Sequence, residues 1–151
     1  MFKILSATAI GLVLLASPSF AHNQADATKA VATFVSNYEK LFNAKDAQGL
    51  AALFADDAVQ AAPGLLLTNR DEIAKRYKAI FDSGNTDFHV IVKQVQAEGN
   101  LVFIVGQFSV KSPKGGMREI SGNVVDIFEW DGDALKFRVL SFNVAPPPAQ
   151  R

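Results

Sequence analysis

Apolar residues recur at helical spacing in the first half of the chain beyond residue 22, and the pattern begins with one long stripe. The stripe consists of Val31, Phe34, Tyr38, Leu41 and Phe42. Its members are adjacent or three to four residues apart, so they share one face of an α-helix. Asp26 lies just upstream, where a capping side chain is expected. The pattern therefore predicts a first helix that begins near Asp26 and buries this stripe.

Two shorter helices are predicted downstream. Asp46 caps the first of them, and Asp56-Asp57 ends it as a turn and capping pair. A short strand over residues 59–62 then leads into a Pro-Gly turn. The other helix opens at Thr68 or Asn69, where Asn69 and Glu72 resemble a capping box, and Ser83-Gly84 stops it. The first half of the chain is therefore mainly helical.

Beyond Asp87 the period of the apolar positions changes to two, which indicates β-strands. The predicted strands begin with Phe88–Val92 and continue with residues 101–111, 117–130 and 134–144. Asp131-Gly132 separates the last two strands and is a strong hairpin signal. Helices followed by antiparallel strands predict an α+β fold, with the helices packed on one face of a curved sheet.

The N-terminus has the three parts of a secretory signal peptide. Lys3 provides a positive charge, an apolar run extends from residue 4 to 16, and the small residues Ser19 and Ala21 form a cleavage site. The alternative is an ordinary N-terminal core helix. We expect residues 1–21 to be removed and the domain to span 22–145, followed by a Pro-rich tail at 146–151. The protein is then exported, periplasmic or secreted, without a membrane span after cleavage.

Composition narrows the chemistry that this domain can perform. The chain has fifteen basic and fifteen acidic residues, so its charges balance. The composition therefore gives no sign of the basic face that nucleic-acid binding requires. The chain has no cysteine and only two histidines, which provides neither a thiol nucleophile nor a clustered zinc site. We therefore expect no metal and no cofactor. Ten of the twelve phenylalanines lie beyond residue 21 and predict an aromatic core or an aromatic-lined pocket.

Two segments carry a resemblance to a known family. NYEKLFNAKD at 37–46 and LAALFADDA at 50–58 resemble the opening of the nuclear-transport-factor-2-like (NTF2-like) superfamily. Within it, the chain is most similar to SnoaL-like and ketosteroid-isomerase-like members of the DUF4440 type. The resemblance covers essentially the whole domain. It implies a cone-shaped, curved antiparallel sheet wrapped around three N-terminal helices. We also expect a homodimer.

The resemblance also assigns roles to individual positions. In ketosteroid isomerases a tyrosine on the first helix and a protonated aspartate on a late strand form an oxyanion hole, and these positions fall on Tyr38 and Asp126. The family's general base falls on Ala62, which cannot abstract a proton. The resemblance therefore implies the oxyanion-binding pair without the proton-abstracting group.

Asp126 is unusual even without the resemblance. It shares one face of its predicted strand with Gly122, Val124, Phe128 and Trp130. Burial on this apolar face disfavours ionisation, so we expect a raised pKa. The alternatives are a solvated strand edge or an ion pair with Arg118 or Arg138. Tyr38 has its own alternative, that of a core aromatic residue whose hydroxyl finds a routine partner.

These observations lead to three functional hypotheses. The preferred one is an exported protein that binds a small, mostly hydrophobic, oxygen-containing ligand. The second is an isomerase or lyase acting next to a carbonyl group, and the third is a non-catalytic dimerisation or interaction module. An open cavity favours the first two, and a cavity plugged by Phe103, Phe108 or Phe128 favours the third. No catalytic residue is assigned, and the candidate ligand-binding residues are Tyr38, Asp126, Phe34, Phe54, Val124, Phe128 and Trp130.

Overall fold

A computed structural model describes residues 22–113 and 118–146. The predicted signal peptide and residues 147–151 of the predicted tail lie outside the described residues. The helices are α1 (Gln24–Asn43), α2 (Ala47–Ala52) and α3 (Arg70–Asp82). The strands are β1 (Phe54–Ala62), β2 (Leu65–Leu67), β3 (Thr86–Glu98), β4 (Leu101–Ser112), β5 (Arg118–Asp131) and β6 (Ala134–Ser141).

Polar side chains at each helix N-terminus bind the free backbone N–H groups there. Asp46 and Asn69 cap α2 and α3 as predicted. In α1 the N-cap is Asn23, and Asp26 is the third residue of the capping box, whose carboxylate accepts from the Asn23 N–H. The N-cap therefore lies three residues before the predicted one.

The prediction that Asp56 and Asp57 end α2 as capping residues was wrong. That helix ends at Ala52, and both aspartates lie in β1, which starts at Phe54. They face solvent and contact arginines on neighbouring elements: Arg70 lies 2.7 Å from Asp56, and Arg138 pairs with Asp57. Leu53, a half-buried helix cap, is followed at once by the buried strand residues Phe54 and Ala55, so the turn comes before the two aspartates.

The six strands form one curved sheet in the order β2-β1-β6-β5-β4-β3. β4 and β5 pair without interruption from Leu101↔Glu129 to Ser112↔Arg118. β1 pairs with β6 in parallel, whereas every other pair of neighbours is antiparallel as predicted. Register shifts in the β3–β4 and β5–β6 pairs add local bends to the sheet. The predicted α+β fold, three helices against a curved sheet, is confirmed.

The helices cover the concave face of this sheet, where the even-numbered residues of β4 and β5 are buried. Aromatic side chains dominate the core, and Phe128 and Phe137 are almost completely buried. Within the described residues, no helix is long and apolar enough to cross a membrane. The fold thus directs one face of β5, including Asp126, toward α1 and α3.

Candidate ligand-binding cavity

A cavity of about 210 Å³ lies between α1, α3 and the concave face of the sheet. Most of its wall is apolar. The polar side chains that reach it are Tyr38, Gln60, Arg76, Tyr77, Asn85 and Asp126. An engineered apolar cavity of about 150 Å³ accommodates benzene. The size and lining of this cavity therefore suit a molecule with one substituted ring.

Five of the seven predicted ligand-binding residues line this cavity: Tyr38, Asp126, Phe34, Val124 and Phe128. Phe108 and Phe128, two of the phenylalanines that could have plugged it, form part of its wall instead. Phe103 lies on the opposite, outer face of β4. The cavity therefore reaches both Tyr38 and Asp126, the arrangement that favours binding or catalysis.

The other two predicted residues, Phe54 and Trp130, do not line this cavity. Phe54 is fully buried in the core and packs on Phe137 with ring centroids 4.7 Å apart. Trp130 is on the same face of β5 as Asp126 but four residues further along the strand. At about 3.3 Å per residue, the two positions are about 13 Å apart. At that end of the sheet it stacks on His22, with ring centroids 3.7 Å apart.

Two tyrosine hydroxyls meet at the cavity wall. Tyr38 comes from α1 and Tyr77 from α3, and their hydroxyl oxygens are 2.6 Å apart in a buried hydrogen bond. Burial raises the pKa of both hydroxyls well above the usual value for tyrosine, so both are neutral at physiological pH. One hydroxyl donates to the other, which leaves the second hydroxyl hydrogen for an oxygen atom in the cavity.

Asp126 is a buried carboxyl group, with 5% of its surface exposed. Its Oδ1 accepts a hydrogen bond of 3.0 Å from the backbone N–H of Ser141 on β6. Desolvation raises the pKa of Asp126 to about 7, although the Ser141 N–H lowers it in part. Arg138, a possible ion-pair partner, instead contacts Asp57 and Glu129. Asp126 therefore has a substantial protonated fraction at pH 7, and that form can donate a hydrogen bond.

Two amide side chains at the wall were not predicted as site residues. Gln60 on β1 is 3% exposed, and its Oε1 has no hydrogen-bond partner among the described residues. The Oδ1 of Asn85, after α3, is also buried without a partner among them. Gln60 has the same strand phase as Ala58 and Ala62 in β1. A polar residue in phase with these alanines was the signal in the sequence that could have identified it.

Ala62, the position of the family's general base, does not line the cavity. It is half-buried at the end of β1, where it pairs with Leu65 beside the Pro63-Gly64 turn. His89 is exposed and lies outside the cavity wall. In the part of the chain that the structure describes, no three His, Cys, Asp or Glu side chains converge on a possible metal position.

Comparisons with known proteins agree with this architecture. Residues 35–136 match the SnoaL-like domain family. No curated protein matches the chain. A ketosteroid isomerase-like protein from Erwinia carotovora atroseptica superposes with a TM-score of 0.68 at 17% identity, over 79% of this chain and 96% of that one.

Two further solved structures share the fold at similarly low identity. A nuclear-transport-factor-2-like protein from Shewanella oneidensis has a TM-score of 0.67 at 16% identity, over 77% of this chain and 98% of that one. Another, from Novosphingobium aromaticivorans and described with a cystatin-like fold, has a TM-score of 0.69 at 16% identity, over 83% and 86%. The chain belongs to the SnoaL-like domain family, and it shares its fold with a nuclear-transport-factor-2-like protein.

Proposed function

We propose that the protein binds a small, mostly hydrophobic molecule that carries an oxygen atom, and that the cavity between α1, α3 and the sheet is the binding site. The observation that carries this proposal is the presence of the Tyr38–Tyr77 hydroxyl pair and the buried Asp126 carboxyl on one apolar cavity. Sites for small molecules are typically concave and apolar, with a few placed polar groups.

The polar groups favour an oxygen acceptor on the ligand. The tyrosine pair has one hydroxyl hydrogen to donate, and Asp126 has a second one when it is protonated. Hydrogen bonds from both to a carbonyl oxygen would compensate for removing that oxygen from water. The remaining surface of the ligand would then contact aromatic and aliphatic side chains.

A second candidate function is an isomerase or lyase that acts next to a carbonyl group. One observation favours it: burial raises the pKa of Asp126 to about 7. A carboxyl group whose pKa is close to the working pH can both accept and return a proton. Asp126 would then act as the acid–base group in place of a residue at Ala62. Turnover that is lost in Asp126→Asn, while binding is kept, would support this candidate over simple binding.

We also propose that the protein is exported and works as a homodimer. The outer face of the sheet supports a second copy as the partner. Val105 and Val125 are directly opposite each other and 44% and 52% exposed, and Ile91 on β3 is 58% exposed. Uncharged Gln107 and Asn123 lie next to the two valines on β4 and β5.

Methyl NMR would test the binding site directly. Val124 and Val125 are neighbours on β5, but Val124 lines the cavity and Val125 faces outward. We expect titration with 4-methylacetophenone, a single-ring ketone, to shift the Val124 methyl signals and leave those of Val125 unchanged. Shifts confined to Val125, or none at either residue, would contradict binding in this cavity.

The variant Val124→Phe fills the cavity and should abolish binding of this ketone. The matched variant Val125→Phe adds the same side chain on the outer face and should leave binding intact. Equal affinities in both variants would place the ligand outside the cavity.

A further inference from the structure

We propose that Arg76 binds a carboxylate group at the opening of the cavity, so that the protein's ligand is a small aromatic acid rather than a neutral ketone. This inference rests on the proposed function and names the ligand class of the same site. It starts from the charge of the cavity wall: among the described residues that line it, Arg76 is the only basic one.

Arg76 lies where the cavity meets solvent. It comes one turn before Ile80 on α3, and both residues line the cavity beside the buried Tyr77. Of the described lining residues, Arg76 and Val144 are exposed, whereas the others are buried or half-buried. An arginine in such a position packs its apolar stem on the wall and keeps its guanidinium group in water. The charged group is therefore within reach of a ligand that enters the cavity.

The charge of Arg76 has no structural partner in the part of the chain that the structure describes. Two other basic residues of α3 do have carboxylate partners: Arg70 lies 2.7 Å from Asp56, and Lys78 lies 3.2 Å from Asp82. Among the same described residues, Arg76 forms no ion pair. Its five N–H donors are therefore available to an anion on a ligand.

A carboxylate group on the ligand has one favourable position in this cavity. Its removal from water into the apolar part would be costly without a charged partner. The buried part of the wall also carries Asp126, whose pKa of about 7 leaves it partly ionised at neutral pH, so it would repel a second negative charge. At the opening, a carboxylate keeps part of its hydration and can accept two parallel hydrogen bonds from a guanidinium group.

The cavity wall thus complements two different groups on one ligand. Its buried polar groups, the tyrosine pair and protonated Asp126, can donate hydrogen bonds to a neutral oxygen, and exposed Arg76 can bind an anion. A cavity of about 210 Å³ accommodates a single ring between them. Benzoic acids that carry a ketone or aldehyde group on the ring have this combination.

Matched pairs of probes separate this inference from the proposed function. 3-Acetylbenzoic acid and 4-acetylbenzoic acid are compared by calorimetry with the neutral amides 3-acetylbenzamide and 4-acetylbenzamide. All four have the ketone that the proposed function requires, and the two members of each pair have nearly the same shape but different charge. We expect one acid to bind about tenfold more tightly than its amide, because the ion pair is bidentate but screened by solvent. This preference should fall as the salt concentration rises.

The variant Arg76→Met keeps an apolar stem on the wall and removes the charge. We expect it to abolish the preference for the acid and leave the affinity for the amide unchanged. Lys75→Met removes the neighbouring exposed charge on α3 and should preserve the preference, because Lys75 does not line the cavity. Unchanged binding of the amide also shows that Arg76→Met is folded.

A second variant shows whether the bound acid occupies the cavity. Val124→Phe fills the cavity and leaves Arg76 in place, so it should abolish binding of the acid. If the acid still binds to Val124→Phe with its full affinity, it contacts Arg76 from outside the cavity, and the inference is overturned.

Three further results would also overturn it. If the acids bind no more tightly than the amides, the inference fails and the proposed function stands. If the preference for the acid survives in Arg76→Met, a different cation binds the carboxylate. If none of the four probes binds to the wild-type protein, the proposed function fails, and this inference fails with it.

Discussion

Replacing Asp126 with asparagine should change the pH dependence of stability in a defined direction. Burial raises the pKa of this carboxyl from 3.8 to about 7 in the folded protein. As pH rises above 3.8, the unfolded chain loses this proton first, so the folded state becomes relatively less stable. The loss grows until pH passes the folded pKa near 7 and then levels off. It amounts to about 4 kcal/mol, since one pKa unit corresponds to about 1.4 kcal/mol.

The asparagine side chain would resemble the protonated aspartate in shape, but it does not titrate. Its amide oxygen can accept from the Ser141 N–H, and its amide nitrogen can donate into the cavity. Relative to wild type, Asp126→Asn should therefore gain about 4 kcal/mol between about pH 4 and pH 8. This comparison removes the contribution of every other titrating group that the substitution leaves unchanged.

Denaturant unfolding at a series of pH values measures this difference. The single tryptophan, Trp130, is buried and provides the fluorescence signal. Asp133→Asn, at an exposed carboxyl, is the matched control and should show no comparable trend. If the stability difference between Asp126→Asn and wild type is flat with pH, Asp126 does not have a raised pKa. If it falls with pH, the carboxylate is stabilised by a charged partner, and the donor role is wrong.

Three further predictions test processing, assembly and chemistry. N-terminal sequencing of exported protein should find His22 as the first residue; a retained Met1 would contradict the signal peptide. Light scattering should show a dimer for the wild type and a monomer for Val125→Lys, which places a charge on the exposed apolar face; a wild-type monomer would refute the homodimer. The wild-type protein should show negligible isomerisation of an unsaturated ketosteroid, because the base position is Ala62 and a four-ring substrate exceeds a cavity of about 210 Å³; robust turnover would refute this.

The elements that the sequence predicted well are those with a regular period. The stripe of α1 and the alternation of β5 follow from which residues must face the core, and this placed Tyr38 and Asp126 on the cavity side. Phase alone does not say how far along a strand the cavity extends. Trp130 has the same phase as Asp126, yet it stacks on His22 at the far end of the strand and does not line the cavity.

The missed residues depend on tertiary contacts that local sequence does not encode. Tyr77 fits the helical stripe of α3 as an ordinary core residue, and only the packing of α3 beside α1 brings its hydroxyl to Tyr38. The alternation of β1 was the local signal for Gln60, but the partner strand β6 that helps to bury it comes about 80 residues later. Asp56 and Asp57 look like capping residues until Arg70 and Arg138 are placed beside them.

A crystal structure of the protein with 4-methylacetophenone would test the central claim most directly. The account predicts the ring among the aromatic residues of the cavity and the ketone oxygen within hydrogen-bond distance of the tyrosine hydroxyl pair or the Asp126 carboxyl. A ring bound in the cavity with its oxygen directed away from these groups would contradict the assigned polar roles. A ketone bound only outside the cavity would contradict the proposed binding site itself.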